Sequence, residues 1–332
     1  WPRFGIFPEP VSVVNHWDSR LLSPMGSPRS SLARHFAFKQ FEFLGILSPE
    51  IVFGCALVDI RYLGSAFFYL YHPSSGTFLH RSLKAPLSLG LTMGPAPGEG
   101  TDTFSLFNEG GEMGHVDEGR GQTLNARFKV KGGEVKVDAT CREDSPPQEP
   151  MSLCTRIGVA GWVYAQKTVG LPVSGTLSWP GGELDLASVG ALGLRDWSAG
   201  FMRRETWWNW GCFDGRLKDG RVVGVNISCG VNETGFTENC YWVDGVLHKV
   251  DTVAFRYDRG DLDKPWSMTS SDGLIDLHFE PVGRHKERVN AGLVASNFRQ
   301  LFGRFRGRLG AGEDAIMVDG LWGFAEDHFA RW

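Results

Sequence analysis

The sequence predicts an all-β protein of antiparallel strands, closed as barrels rather than stacked as a sandwich. Three observations carry this. Asp219-Gly220, Asp244-Gly245 and Asp272-Gly273 each sit between alternating apolar residues, the pattern of hairpins whose turn residues need positive φ. They recur at spacings of about 25 residues, as a meander would. Helical periodicity is scarce, and Val289–Phe302 alone reads either as a short helix or as a strand pair. Closure is preferred because it leaves no sheet edge exposed.

In chain order, residues 1–34 are rich in Pro, Ser and Arg and read as an irregular arm laid over the body. Regular structure is expected from His35. Phe36 and Phe38 alternate out of phase with Phe41 and Phe43, which predicts a bulge near Lys39–Gln40. Ile51–Ile60 and Ser65–His72 read as buried strands, and 86–100 as a long Pro- and Gly-rich loop. Thr103–Phe107, Gln122–Val130 and Glu134–Cys141 alternate, with Gly132-Gly133 as a hairpin signal between the last two. Glu143–Pro150 is the most linker-like stretch, and strand character resumes over Met151–Gln166. Ala315–Trp332 reads as one or two strands.

Composition bounds the function. A chain of 332 residues is comfortable for two cores. The net charge of −4 gives no reason to expect nucleic acid. No apolar run approaches the ~20 residues of a membrane-spanning helix. No stretch reads as a secretory leader, and with the chain opening at Trp1 this bears only on the residues present. The six cysteines show no paired spacing, so they are expected to be free thiols in a reducing, cytoplasmic setting. The sequons at Asn226 and Asn232 then carry no meaning.

The chemistry concentrates in Asp196–Asp244, which holds Trp207, Trp208, Trp210 and Trp242 beside Asp196, Arg203, Arg204, Asn209, Asn226, Glu238 and Asn239. Its motifs, DWSAG, TWWNW, DGRVVGVNIS and TEN, together with the terminal GFAEDHFARW, resemble the bacterial family catalogued as domain of unknown function 2804. The resemblance runs from His35 to Trp332. That family is distantly similar to AttH-like and carotenoid 1,2-hydratase proteins, which implies two tandem lipocalin-like (calycin-type) barrels. The domains would span 35–185 and 186–332. The relatives place one aspartate where Asp196 stands and a second where this chain has Asn209, an amide that cannot donate a proton usefully near neutral pH.

Along a strand, side chains alternate between faces. Trp207 and Asn209 would share one face, Trp208 and Trp210 the other, lining a pocket or filling a core. Asp196 could be an acid kept protonated beside indoles, or a turn cap at a strand–loop junction. Glu238 could be a general acid or base, or an ion-pair partner of Arg203, Arg204 or Lys249. Glu326 and His328 share a strand face and could relay protons. They could also form half a zinc site, but no second pair has matching spacing, so no metal is expected. His278 and Glu280 repeat the pattern. Arg304, Arg306 and Arg308 read as a charged stripe on an edge strand. No phosphate-cradling glycine motif or nucleophile elbow is present, so no nucleotide cofactor is expected.

The leading expectation is a cofactor-independent enzyme of hydratase, isomerase or cyclase type, acting on an apolar or amphipathic small molecule. Asp196, Glu238, Arg203, Arg204, Glu326 and His328 would act, while Trp207, Trp208, Asn209, Trp210, Asn226, Asn239, Trp242 and Lys249 would hold the ligand. The alternatives are a non-catalytic carrier of lipid-like ligands and a carbohydrate site, where two facing carboxylates would suit glycoside hydrolysis.

Overall fold

A computed structural model describes residues 3–116, 121–142, 148–231, 234–292 and 294–332, with the backbone alone at 115 and 116. The sequon at Asn232 and residues 143–147 of the linker-like stretch lie outside the described residues. The chain divides into two units, Trp1–Met202 and Arg203–Trp332. The fold is all-β, each unit being a curled antiparallel sheet. No helix is long and apolar enough to cross a membrane.

The first unit orders its main sheet Thr77–Pro86, Leu63–His72, Val52–Asp59, Lys39–Leu47, Leu192–Gly200, Gly161–Trp179, Gly133–Arg142, Gly121–Val130, Glu109–Val116, Asp102–Leu106 and Leu91–Thr92. Its two end strands are consecutive in the chain, so the sheet curls back on itself. Arg81, near one end, forms an ion pair with Glu109, near the other, at 2.8 Å. The long strand Gly161–Trp179 slips register between Val169 and Leu171. Gly170 lies there at φ +87°, a conformation that glycine adopts without penalty. This bulge lets one strand serve Met151–Ile157 on one stretch and Gly133–Arg142 on another. Leu44, Ile46, Cys55, Leu57, Phe68, Leu124, Phe128 and Val137 fill the inner face.

Strand Leu192–Gly200 hydrogen-bonds to Lys39–Leu47 and Gly161–Trp179. It therefore belongs to the first unit, whereas the sequence reading placed the domain boundary before it, after Asp185.

The start of this unit also departs from expectation. Ser31–Ala37 is an α-helix, whose first turn is capped by Ser30 Oγ accepting from Ala33 N at 3.2 Å. The strand begins at Lys39 and runs without a bulge, Gln40 pairing with both Asp59 and Ala199. The phase break between Phe36 and Phe41 is thus a helix-to-strand junction. The N-terminal arm is partly regular: Gly5–Phe7 pairs with Met151–Ile157. Val14 and Leu21 bury against Trp162, Tyr164 and Trp197.

The second unit is a nine-stranded sheet ordered Val246–Lys249, Cys240–Val243, Val222–Cys229, Glu205–Arg216, Ile316–Arg331, Ala295–Leu309, Ile275–Asn290, Trp266–Ser270 and Val253–Arg256. The last strand inserts between the first and the Ala295–Leu309 strand, and the rest is a meander. Its two edge strands are also consecutive in sequence. Phe213, Val225, Ile227, Leu277, Phe279, Leu301 and Phe305 form its inner core.

Val289–Phe302 is a strand pair, not a helix. Arg304, Arg306 and Arg308 lie on a strand paired on both sides. They line an outward face and not an edge, and Arg306 reaches Glu280 at 3.0 Å.

Of the Asp-Gly turns, Asp244-Gly245 alone has both residues at positive φ, +46° and +86°, joining Val243 to Val246 as a two-residue hairpin. The other two are longer loops in which only the glycine is left-handed. Gly245→Val should therefore destabilise the protein by about 1–2 kcal/mol, read as a lower midpoint in urea. Gly260→Val, at a glycine without positive φ in an exposed turn, should cost less.

Candidate functional site

Register decides which side chains meet. Trp208 pairs with His328, Asn209 with Asp327 and Trp210 with Glu326. Residues directly opposite share a face, so two constellations lie back to back on the second unit's sheet.

The inner one caps the core that contains Phe213. Trp207 Nε1 donates to Asp327 Oδ1 at 2.9 Å, and Arg299 Nη2 donates to Asp327 Oδ2 at 2.6 Å. The Arg259 guanidinium lies 4.5 Å from the centre of the Trp207 ring. Asn209 Nδ2 donates to Tyr257 Oη at 2.9 Å and to the Glu326 carbonyl at 3.0 Å. Tyr257 in turn stacks on Trp266 at 3.9 Å. Asn209 is thereby committed to the framework.

The opposite face centres on Glu326. Its carboxylate accepts from Trp208 Nε1 at 2.7 Å and Gln300 Nε2 at 2.9 Å. His328 Nδ1 stands 3.3 Å from Glu326 Oε1, while His328 Nε2 meets Ser296 Oγ at 2.9 Å. Carboxylate, imidazole and hydroxyl thus lie side by side, the imidazole hydrogen-bonded to the hydroxyl and only within ion-pairing distance of the carboxylate. The Trp208 ring lies 4.1 Å from the His328 ring, and Phe298 flanks the imidazole at 5.0 Å. Farther along this face Trp210 Nε1 donates to Asn226 Oδ1 at 2.8 Å, and Asn226 Nδ2 donates to the Glu238 carbonyl at 3.1 Å. Trp242 is fully buried on the same face.

The remaining expected residues are dispersed. Arg203 and Arg204 are exposed. The Arg203 carbonyl accepts from Trp332 Nε1, and Arg204 Nη1 donates to the Trp332 carbonyl. Asn239 braces backbone through Ser228 N and the Asp251 carbonyl. Lys249 Nζ donates to the carbonyls of Thr237 and Asn239 at 2.7 and 2.6 Å, and burial holds its pKa below the ordinary lysine value. Glu238 is buried and its carbonyl serves Asn226. His278 and Glu280 are exposed. Among the described residues no cluster of His, Cys, Asp or Glu is arranged to hold a metal ion.

Asp196 lies in the first unit, in the middle of a strand paired on both sides. It is therefore neither at a strand–loop junction nor a turn cap. It forms an ion pair with Lys167, whose side chain is buried.

On the other face of that sheet is a group that escaped the sequence reading. Arg195 Nε donates to Glu42 Oε1 at 2.7 Å, both side chains being 2 % exposed. Asp102, from a strand that is no neighbour of either in the sheet, meets Glu42 across the interior. Burial, then the charge and hydrogen bond of Glu42, push its pKa up to about 9. Gly94 N donates to Asp102 Oδ1 at 2.6 Å. Burial and the charge of Glu42 also push the Cys55 thiol up. The overlooked signal was charge inside an apolar run: Glu42 alone in FEFLGIL, and Arg195 beside Asp196 in LGLRDW. Ser296 and Gln300 carried no such signal.

A concavity of about 770 Å³ opens on the same unit, lined by Asn125, Arg127, Lys136, Asp138 and Thr176 among others. Arg127 and Lys136 there are both ion-paired to Glu134, and the chemistry of the buried groups lies elsewhere.

Residues 17–332 match the family model described as "Domain of unknown function (DUF2804)". A search of curated proteins finds no match. Solved structures share the fold. Kievitone hydratase from Nectria haematococca is 9% identical with a TM-score of 0.54, covering 88% of each chain. A protein described as an AttH from Nitrosomonas europaea is 13% identical with a TM-score of 0.55, over 92% of this chain and 98% of that one. CghA with Sch210972 is 13% identical with a TM-score of 0.52, over 96% and 94%.

Two outcomes follow from the first unit's charges. Asp196→Asn should cost about 3 kcal/mol by leaving the Lys167 ammonium buried without its counter-charge. Adding Lys167→Met should restore much of that in a double-mutant cycle by chemical denaturation. The Asp102 pKa is raised on folding, so its contribution is fully present below the unfolded value near ~4 and is lost as pH rises toward about 9. Stability should fall with pH across that window, and the slope should flatten in Asp102→Asn when denaturation is followed over a pH series.

Proposed function

The chain belongs to the DUF2804 family, and from that premise we propose that it is a cofactor-independent acid–base enzyme acting on an apolar small molecule, by hydration, dehydration, isomerisation or cyclisation. The observation that carries this is the group Glu326, His328 and Ser296 beside the rings of Trp208 and Phe298. Histidine is the side chain best suited to passing protons near neutral pH. The Glu326 carboxylate lies within ion-pairing distance of Nδ1 but outside hydrogen-bonding geometry, while the Ser296 hydroxyl on Nε2 orients the ring, and Nε2 exchanges its proton with substrate through that hydroxyl. Trp208 and Gln300 keep the carboxylate in place. The neighbouring rings hold the apolar body of the substrate and exclude water.

The same order of groups serves acyl transfer elsewhere. That chemistry needs free N–H donors for an oxyanion. Ser296 is on a strand paired on both sides, opposite Val289 and Ala330, and its neighbourhood's amides are committed to those ladders. Proton relay is therefore the better reading. Asp196, paired with Lys167, is left as a charge pair and not the principal acid. The likeness to a hydratase and to a protein holding a small molecule supports the substrate class.

Native mass spectrometry of the purified protein should reveal a bound small molecule. With that molecule or its precursor, His328→Gln and Glu326→Gln should each lower single-turnover rates by about 10²–10⁴-fold, with affinity within a few-fold of wild type. Binding without conversion by the wild-type protein would make it a carrier and end the catalytic reading.

A further inference from the structure

The face of the second unit that bears Trp207 and Asp327 holds charge for which the relay has no use. Register sets one row across it: Lys286 pairs with Arg299, Arg299 with Asp327, and Asp327 with Asn209. Directly opposed residues share a face. Two residues along, on the same face, Phe329 opposes Trp207. Asp327 has both oxygens engaged, one by Trp207 Nε1 and the other by Arg299 Nη2. The carboxylates of the neighbouring loop, 257–264, are engaged as well. Asp263 pairs with Arg284 at 3.1 Å, while Lys264 holds Asp258 at 2.7 Å and lies 3.8 Å from Asp261. Arg259 and Lys286 are both exposed, and among the described residues no carboxylate is within ion-pairing distance of either.

Three donors gather around Trp207. The Arg259 guanidinium rests over its ring, 4.5 Å from the centre, and beside the Tyr257 hydroxyl. A guanidinium held against an indole face keeps its N–H edge for a partner. Tyr257 Oη accepts from Asn209 Nδ2 at 2.9 Å, which leaves its own proton to donate. Arg299 gives Nη2 to Asp327, while its Nε finds no acceptor in the protein and 29 % of its side chain is exposed. The charge of Asp327 also reaches Arg259, so one carboxylate answers two guanidiniums. This rim is short of negative charge. The rings of Trp207, Tyr257 and Phe329 are half-buried, which sets apolar surface beside the deficit, within reach of solvent.

We propose that this rim is a carboxylate-binding site, independent of the Glu326–His328 relay on the opposite face. It takes a small molecule with one carboxylate and an apolar body. The carboxylate receives the Arg259 and Arg299 guanidiniums and the Tyr257 hydroxyl, and Lys286 adds its charge from the next strand. A planar carboxylate fits the forked edge of a guanidinium better than a point charge would. The apolar body lies on the rings of Trp207 and Phe329.

The test uses the full chain and titration calorimetry with 2-naphthoate, a carboxylate, and 2-naphthamide, its neutral counterpart of similar shape. Saturable 2-naphthoate binding is expected, with the amide about tenfold weaker or more. Arg259→Gln changes an exposed side chain, so it should fold as wild type, and it should lose about tenfold or more in 2-naphthoate affinity. Lys286→Gln should lose a few-fold. Arg304→Gln removes an equal charge from an exposed residue on the opposite face and should bind as wild type, as should His328→Gln. Equal affinity for the two probes, or unaltered binding by Arg259→Gln, would reduce the rim to a structural charge cluster and overturn the proposal. An equal loss in Arg304→Gln would make the attraction one of net charge and overturn it too. Loss of binding in His328→Gln with Arg259→Gln unaffected would place the probe on the relay's face, against this site but not against the relay.

Discussion

Strands buried on both faces, such as Lys39–Leu47, Val52–Asp59 and Val222–Cys229, impose the constraint on which this structure depends. A strand alternates its side chains between two faces, so covering both puts the polar residues of either face where water cannot satisfy them. The second unit meets this demand on Glu205–Arg216 by placing an acceptor diagonally across from each of three indole donors, two residues along the neighbouring strand. Trp207 ends on Asp327, Trp208 on Glu326 and Trp210 on Asn226. Three tryptophans within four residues thereby become three fixed points, each locking the register of Glu205–Arg216 against a neighbouring strand. A one-residue slip would exchange the faces and leave all three unsatisfied at once.

The same constraint governs charge. Glu42 is buried with Arg195, Asp196 with Lys167 and Asp327 with Arg299. Such pairs add little net stability, yet breaking one is costly, so they act as constraints on which strands can be neighbours. Asp102 is the exception, since it meets a carboxylate already neutralised and is held neutral itself. A neutral carboxyl in a dry interior stores a proton. The surface arginines Arg304 and Arg306 obey no such rule, because their charges remain in water.

The relay on the second unit has a different character. Glu326 is anchored by two donors from two strands, Trp208 and Gln300, while His328 on its own strand stays beside it. The arrangement fixes the carboxylate and leaves the imidazole's far nitrogen to a hydroxyl. Geometry of this kind needs three strands in one register, and only the insertion of Ile316–Arg331 between Glu205–Arg216 and Ala295–Leu309 provides it.

Much of this was legible in the chain itself. Alternation, the Asp-Gly turns and the shortage of helical period determined an all-β, antiparallel fold, because side-chain period and turn conformation are local properties. The pairing of Glu326 with His328 on one face was equally local. The helix at Ser31–Ala37 was not: over seven residues, alternating phenylalanines at its end imitate a strand. Nor did the sequence locate the end of the first unit, since Leu192–Gly200 reads as a strand whichever sheet it joins. Ser296, Gln300 and Asp102 became candidates only through register and through contact across a curled sheet, which depend on residues far apart in the chain. The amino-acid sequence by itself determined most of the strands and which residues of each share a face. Tertiary structure alone decided which faces meet, because cross-strand partners are selected by the packing of the whole sheet and not by any local pattern.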